Sequence, residues 1–315
     1  MQAYIIRRLM AAVVTVFVLS LAVFWLLRLI PTDPAVLILG MNATDEQVQG
    51  LRHEMGLDKP ILQQYLDWMQ QLLTGNLGRS FVTHSDVGDE ILSRLPVTLE
   101  LLALTVAFTV LFGIPFGIIS AVYQNSLLDY GVRVVAVFGL SIPTFWLATL
   151  VILVPAQQWG YSPPIAQTVG LLEDPWDNLR QFVPPALILG LTAAAGIMRL
   201  TRSSLLEVLR QDYIRTARAK GLQERLVILR HGLKNSLVPV VTVLGLQVAG
   251  LLGGTVIIES IFTLRGLGQY TFEALFRRDF LVVQTMALYI AVVVVLMNLL
   301  VDILYAWLDP RIRYS

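Results

Sequence analysis

The sequence has no cysteine and only three histidines in 315 residues. Without cysteine there is no disulfide, no thiolate metal site and no thiol nucleophile, and redox chemistry says nothing about the compartment. Charge is scarce as well. Only 14% of residues are Asp, Glu, Lys or Arg, against about 25% in soluble domains. That deficit excludes an ordinary soluble enzyme. It also excludes disorder, which needs high charge and low hydrophobicity. The net charge of +1 gives no overall basic field that would point to nucleic acid. The motifs of hydrolysis and nucleotide binding are missing too: there is no H-E-x-x-H, no G-x-S-x-G and no G-x-x-x-x-G-K-[ST]. His53, His84 and His231 fall outside the apolar runs, so Ser141 has no histidine to activate it within the membrane. No loop of this chain cradles ATP phosphates, so ATP-driven work requires another subunit.

Apolar surface is what the chain has in excess: 56% hydrophobic residues and a mean hydropathy of +0.70. A helix needs about 20 apolar residues to cross the hydrocarbon core. Six stretches meet or approach that length: Leu9 to Leu27, Leu101 to Val122, Val134 to Val154, Val183 to Met198, Leu237 to Ile258 and Leu281 to Leu308. Pro143 interrupts the third, and the small-residue run from Thr192 to Gly196 softens the fourth, both tolerable where neighbouring helices re-satisfy the backbone. The first stretch follows Arg7-Arg8 as a signal peptide would. It is too long for an h-region and no A-x-A site follows, so it reads as an uncleaved span with Arg28 snorkelling at its far end.

Lys and Arg set the orientation. Between Arg199 and Lys234 lie nine of the 23 basic residues and only three acids, Glu207, Asp212 and Glu224. This segment is expected in the cytoplasm, with both termini, which carry Arg7, Arg8, Arg311 and Arg313. Six spans join two ends on one side. The expected organisation is residues 1–30 for the tail and first span, 31–97 for an external loop, and 98–315 for a five-helix core that contains a cytoplasmic loop at 199–236.

The external loop predicts two short amphipathic helices. Thr44 and Gln47 fit a capping box and Gly56 ends that helix. Asp58 opens the next with Pro60 in its first turn, Leu62, Leu66, Met69 and Leu73 repeat at helical spacing, and Gly75 closes it. Such helices lie on the membrane face or under a partner.

In the basic segment, Asp212, Arg215, Thr216, Ala217, Arg218, Ala219, Lys220 and Gly221 belong to one short helix. Asp212 is expected to cap it, Arg218 and Lys220 favour the negative end of its dipole, and Gly221 supplies a left-handed terminus. This is either a knob that projects toward a partner or a basic loop that touches anionic lipid. In the fifth span Gly245, Ala249 and Gly253 recur every four residues, as do Gly250 and Gly254. Such spacing brings helix backbones close, for static packing or to line a path. Asp302 lies inside the sixth span, about 10 Å from its end at helical rise. At that depth a structural pair with Arg311 or Arg313, or a solvated position, fits better than a proton relay.

These stretches, in order along nearly the whole chain, resemble permease subunits of bacterial binding-protein-dependent ABC importers of the dipeptide, oligopeptide and nickel family. The likeness is carried by Ile6-Arg-Arg8, Ile30-Pro-Thr-Asp-Pro34, Met55-Gly-Leu-Asp-Lys-Pro60, Gln64-Tyr65 and Gly75-Asn-Leu-Gly78. It continues through Arg199-Leu-Thr-Arg-Ser-Ser204, the run from Asp212 to Leu222, and His231-Gly-Leu-Lys-Asn235. It ends with Glu259-Ser-Ile-Phe262, Gly266-Leu-Gly268, Asn298 to Asp302 and Asp309 to Arg313. The family's E-A-A-x-x-x-G coupling loop is matched here by Arg215-Thr-Ala217 and Gly221, without the Glu and the first Ala, and the nearest following proline is Pro239.

The resemblance implies an all-α integral membrane protein of the type I importer permease kind in the bacterial inner membrane. It also implies a second, homologous permease, two cytoplasmic ATPases that hold ATP and Mg, and an external solute-binding protein facing the outer loop and the Glu259–Tyr270 region. This chain itself would hold no cofactor or metal. The expected function is alternating-access import of di- or oligopeptides. Nickel and glutathione remain open as cargo, and a non-transporting membrane scaffold with a partner-binding basic loop remains open as a different class of function.

Overall fold

The computed structural model describes residues 2–29, 31–40, 42–160 and 168–308. Among these, five helices are long and apolar enough to cross a membrane, and a pair of helices bent by 94° makes six where that pair is counted as one span. The first long helix, α1, is Gln2–Arg28. Three short helices follow at its far end: α2 (Pro34–Leu39), α3 (Asp45–Glu54) and α4 (Ile61–Leu73). The long α5 (Val87–Val122) returns, and α6 (Leu127–Ser141) and α7 (Thr144–Trp159) form the bent pair. Then come α8 (Pro175–Leu209), the short α9 (Asp212–Ala219) and α10 (Glu224–Leu226). A π-turn over Val227–Gly232 leads straight into α11 (Leu233–Phe262), and α12 (Leu267–Phe276) and α13 (Phe280–Leu308) complete the fold.

The expected third span is two helices meeting at 94°. The cause is local. Pro143 excludes the helical conformation from the residue before it, and Ile142 is accordingly extended, with ψ 123°. The second and fourth spans are longer than their apolar runs. At 36 residues, α5 is about 54 Å long, well beyond the roughly 30 Å hydrocarbon core. It starts at Val87 because the Asp86 carboxylate accepts from the Gly88 and Asp89 N–H groups. The boundary expected after residue 97 therefore falls inside a helix. Asp174 starts α8 in the same way, eight residues before its apolar run.

The α5–α8 pair is the axis of the bundle, and glycines let it close. A Cβ at Gly117 would sit 2.6 Å from Thr201 Cβ, and one at Gly190 would sit 2.6 Å from Phe108 Cβ. Small residues at such crossings are how membrane helices gain van der Waals contact where no hydrophobic drive separates protein from lipid. The core above this crossing gathers Leu101, Phe182, Ala186, Ile188, Leu189, Ile258 and Phe262, with Ala148 reaching in from α7.

The capping box of Thr44 and Gln47 forms as expected and starts α3. Asp58 does not open α4. Pro60 takes the cap position, while Asp58 bonds His53 Nδ1 at 2.8 Å. The face of α4 turned to the bundle is aromatic. It is Tyr65 and Trp68, which pack on Phe24 of α1 and Leu288 of α13. Asp302 has a partner among the described residues. It pairs with Arg8 of α1 at 3.0 Å. Arg311 and Arg313, like Asp309 and Pro310, lie outside the described residues, as does Ile30.

Candidate functional site

The basic segment folds into a knob with a dry foot and a charged outer face. On α9, Ile214 is fully buried and Ala217 nearly so. Both pack on Val227 of the π-turn and on Leu209 at the end of α8. Helical spacing of three residues puts Ile214 and Ala217 on one face, leaving Asp212, Arg215 and Thr216 on the other, exposed. The Asp212–Arg215 ion pair there is 3.5 Å long and almost fully in solvent.

The helix ends in a Schellman arrangement. The Gly221 N–H donates to Arg218 O at 2.9 Å, and the Leu222 N–H to Ala217 O at 3.4 Å. Gly221 has φ +77°, and no atom lies within 4 Å of where its Cβ would be. Its requirement is therefore purely conformational. Two further ties fix the knob to the bundle. Arg218 forks onto Glu224, Nη2 to Oε1 at 2.6 Å and Nε to Oε2 at 3.1 Å, and this acceptance raises the Arg218 pKa above its ordinary value. The Tyr213 hydroxyl accepts from Asn235 Nδ2 at 2.8 Å and donates to His231 O at 3.4 Å.

One expected role changes. Asp212 is the first helical residue and not the cap. Gln211 holds the cap position without a side-chain bond. The Asp212 carboxylate still sits in the first turn, where the helix dipole favours an anion. Lys220 is the C-cap residue, with its N–H bonded to Thr216 O at 3.1 Å.

Below the knob the ends of α5, α6 and α8 are joined through Asp129, which is fully buried. Arg202 of α8 grips both its oxygens, at 3.0 and 2.9 Å. Ser120 Oγ and the Asn125 N–H donate to it as well, and Arg133 lies 3.3 Å away. A buried carboxylate with a bidentate guanidinium and further donors is the arrangement in which enclosed charge is compensated.

The small-residue stripe of α11 divides in two. Gly245 faces α13, where a Cβ would collide with Val301 Cγ2, and Ala249 is buried. Gly250 and Gly253 meet nothing within 4 Å. The surroundings of Gly254 lie outside the described residues.

At the opposite end of α11, Glu259 is fully buried. Its Oε1 accepts from Thr98 Oγ1 of α5 at 2.9 Å and its Oε2 from the Gln269 N–H of α12 at 3.0 Å. The Thr98 hydroxyl in turn accepts the Leu267 N–H at 2.8 Å. The N-cap of α12 is Gly266, which has no side chain to offer. Its orphan N–H groups are satisfied from α5 and α11 instead. A Cβ at Gly266 would run into the Glu259 carboxylate, and one at Gly268 would lie 2.6 Å from Val256 Cα.

From sequence, Glu259, Gly266 and Gly268 belong to the region expected to face a binding protein and Arg202 to the Arg199–Ser204 stretch; neither pattern gives Glu259 or Arg202 its partner. Asp129 went unremarked. The usable signal is an acid three residues after Ser126, in the first turn of a helix between apolar runs, which has to be compensated by one of the basic residues at the same membrane face.

Comparison with known proteins adds the following. Residues 113–314 match the family described as binding-protein-dependent transport system inner membrane component, and residues 1–102 match its N-terminal companion. The dipeptide transport system permease protein DppB of Alkalihalophilus pseudofirmus is 40% identical across the whole of both chains. The di/tripeptide transport system permease protein DppB of Pseudomonas aeruginosa is 42% identical, again across both whole chains. The glutathione transport system permease protein GsiC of Escherichia coli is 40% identical with the same full coverage. In fold, the chain is similar to an amino acid ABC transporter crystallised with histidines, at TM-score 0.53 and 16% identity over 69% of this chain and 94% of that one. It is also similar to the inward-facing MetNI methionine ABC transporter, at TM-score 0.51 and 20% identity over 68% of this chain and 95% of that one.

Proposed function

This chain belongs to the family of binding-protein-dependent transport system inner membrane components, and from that premise we propose that it forms half of an alternating-access path for di- or oligopeptides. As a type I importer permease it is an inner-membrane subunit driven by ATP, and the family works with ATPases and a substrate-binding protein. Family membership leaves no place for the non-transporting scaffold.

The cargo reading rests on full-length similarity to relatives named for dipeptides and di/tripeptides. Glutathione is the second reading, favoured by a relative of equal identity named for it. The two share amide groups between charged ends. The test is binding of a panel of di- to hexapeptides, glutathione and chelated nickel to the purified cognate binding protein. Tight binding that tolerates many peptide sequences supports the reading. Binding of glutathione alone, or of nickel alone, overturns it.

The partner set we assign is one homologous permease, two ATPases and one binding protein, with ATP and Mg held by the ATPases. The α9 knob, Asp212 to Gly221, is the contact through which ATPase closure reaches the spans. Its support is geometric. The outer face is free and charged, and the foot is clamped to the last turn of α8 and the first of α11. A push on α9 is therefore delivered to two spans at once. The stripe residues Gly250 and Gly253, with Gly254 beside them, are assigned to the face that meets the path or the second permease.

Orientation follows from the excess of basic residues between 199 and 234. It puts α9 and both termini in the cytoplasm and α2 to α4 and α12 outside. The chain has no cysteine, so a single one placed at Asn235 is expected to react only from the cytoplasmic side and one at Gln71 only from outside. The reverse pattern defeats the assignment.

A further inference from the structure

The helix α4 has three distinct faces, and only two are accounted for by the bundle and by water. At about 100° per residue, Tyr65, Trp68 and Leu72 fall on one side, and these pack against α1 and α13. Gln63, Gln64, Asp67, Gln70 and Gln71 fall on the far side. Asp67, the one charge on the helix, is held there by Lys59 Nζ at 2.7 Å, and Gln64, Asp67 and Gln71 line a cavity of about 620 Å³ with both polar and apolar walls. Between these faces runs a third, apolar and open. Leu62 is 70% exposed, Leu66 56% and Leu73 82%.

The contacts of the bundle-facing side fix how deep this open row lies. The Tyr65 hydroxyl is 2.8 Å from Ser20 Oγ. Ser20 lies eight residues before Arg28, about 12 Å down α1 from its charged end. The same cluster takes in Leu288 and Val292 of α13, about 12 and 18 Å below the first residue of that helix. After α4 the chain climbs again, and Gly78 rests on Leu281 in the first turn of α13. At the level of α4, α1 itself presents Trp25, Leu26 and Leu29, each at least half exposed. Gln64 on the polar side of α4 accepts from Arg28 Nη2 at 2.8 Å and from Nε at 3.2 Å, so α4 lies at the level of the basic residue that marks the interface, and its open leucine row shares the depth of the apolar rim of the first span.

We propose that α4 is a half-sunk interfacial helix whose Leu62, Leu66 and Leu73 row enters the acyl region of the leaflet at its end of the molecule. The occupant is lipid. A helix with one apolar face at the boundary of headgroups and chains and a polar face in water is the form that such an interface stabilises. The chemistry of the three faces agrees. The aromatic side grips the spans, the amides and the Lys59–Asp67 pair stay in water, and no charge interrupts the leucines. This helix then braces α1 against α13 from the lipid side.

The test uses the full permease assembly in lipid nanodiscs, with single cysteines at Leu66, Leu73, Gln63 and Gln70 carrying a nitroxide label. Labels at 66 and 73 are expected to relax strongly with oxygen and weakly with a water-soluble nickel chelate, with the ratio of the two severalfold higher than at 63 and 70. Equal access to the chelate at all four positions overturns the proposal. So does protection of 66 and 73 from both reagents, which would mean that a protein surface covers the row.

Discussion

At the α9 end, Asp212 and Arg215 meet across open solvent and Arg218 and Glu224 are both about half exposed. At the α12 end, Glu259 is sealed from solvent and every oxygen of its carboxylate has a donor from another helix. The same residue chemistry is used for two ends. Exposed pairs in high dielectric hold little and yield easily, so a face built from them is available for a partner to grip. An enclosed carboxylate that satisfies a helix terminus has no alternative arrangement, so it sets a corner that does not rearrange. The Asp129–Arg202 joint lies near the knob but belongs with the second kind, being buried and bidentate.

Substitutions ranked by burial should separate the two kinds. The largest effect is expected at Asp129→Ala. It strands Arg202 without its partner, and breaking a buried pair costs about 3–5 kcal/mol. Thermal unfolding of the purified complex, or the amount of mature chain in the membrane, should fall sharply. Next is Glu259→Gln, which keeps the shape but turns an N–H group toward an N–H or a hydroxyl, at about 1–3 kcal/mol for the donor left unsatisfied. Transport and thermal stability should fall together, because the α12 corner loosens.

Gly221→Val forces a β-branched residue into a left-handed conformation at about 1–2 kcal/mol. It should insert normally yet lose uptake and coupled ATPase activity, while Gly221→Asn, which tolerates that conformation, retains most of both. The smallest effect on stability is expected at Arg218→Ala, about 0.2–1 kcal/mol for an exposed pair, read as a shift of only a degree or two or none. If Arg218→Ala proves as destabilising as Asp129→Ala, the distinction between gripped and enclosed charge is wrong.

Much of the architecture was legible in the sequence because apolar runs and proline act locally. Five of the apolar spans, the α3 capping box and the left-handed Gly221 all follow from nearest neighbours in the chain. Helix lengths did not follow. Asp86 and Asp174 start α5 and α8 in polar territory where hydropathy has already fallen. The bend between α6 and α7 is visible as Pro143, but a proline alone does not give its 94° angle. In the candidate site, the residues of the knob could be read because a short capped helix is self-contained. The Asp129–Arg202 joint spans 73 residues and the Glu259–Thr98 contact 161. Pairings at that separation depend on which helices lie side by side, which no local pattern specifies. For α4 the apolar period is legible in the sequence, but which side meets the spans is not. The larger aromatic surface of Tyr65 and Trp68 won the place against the spans.

The pairing of Arg8 with Asp302 also has an order in time. The cation lies on α1 and the acid on α13, which is synthesised later. At about 5–20 residues per second, the roughly 300 residues between them take on the order of 15–60 s to synthesise. Arg8 spends that interval at the end of its span, where it stays half exposed even in the finished fold. Asp302, the member that would be costly to leave alone among apolar side chains, arrives when its counter-charge is already in place. This ion pair thus joins α1 to α13 only once α13 has been made and has docked beside α1.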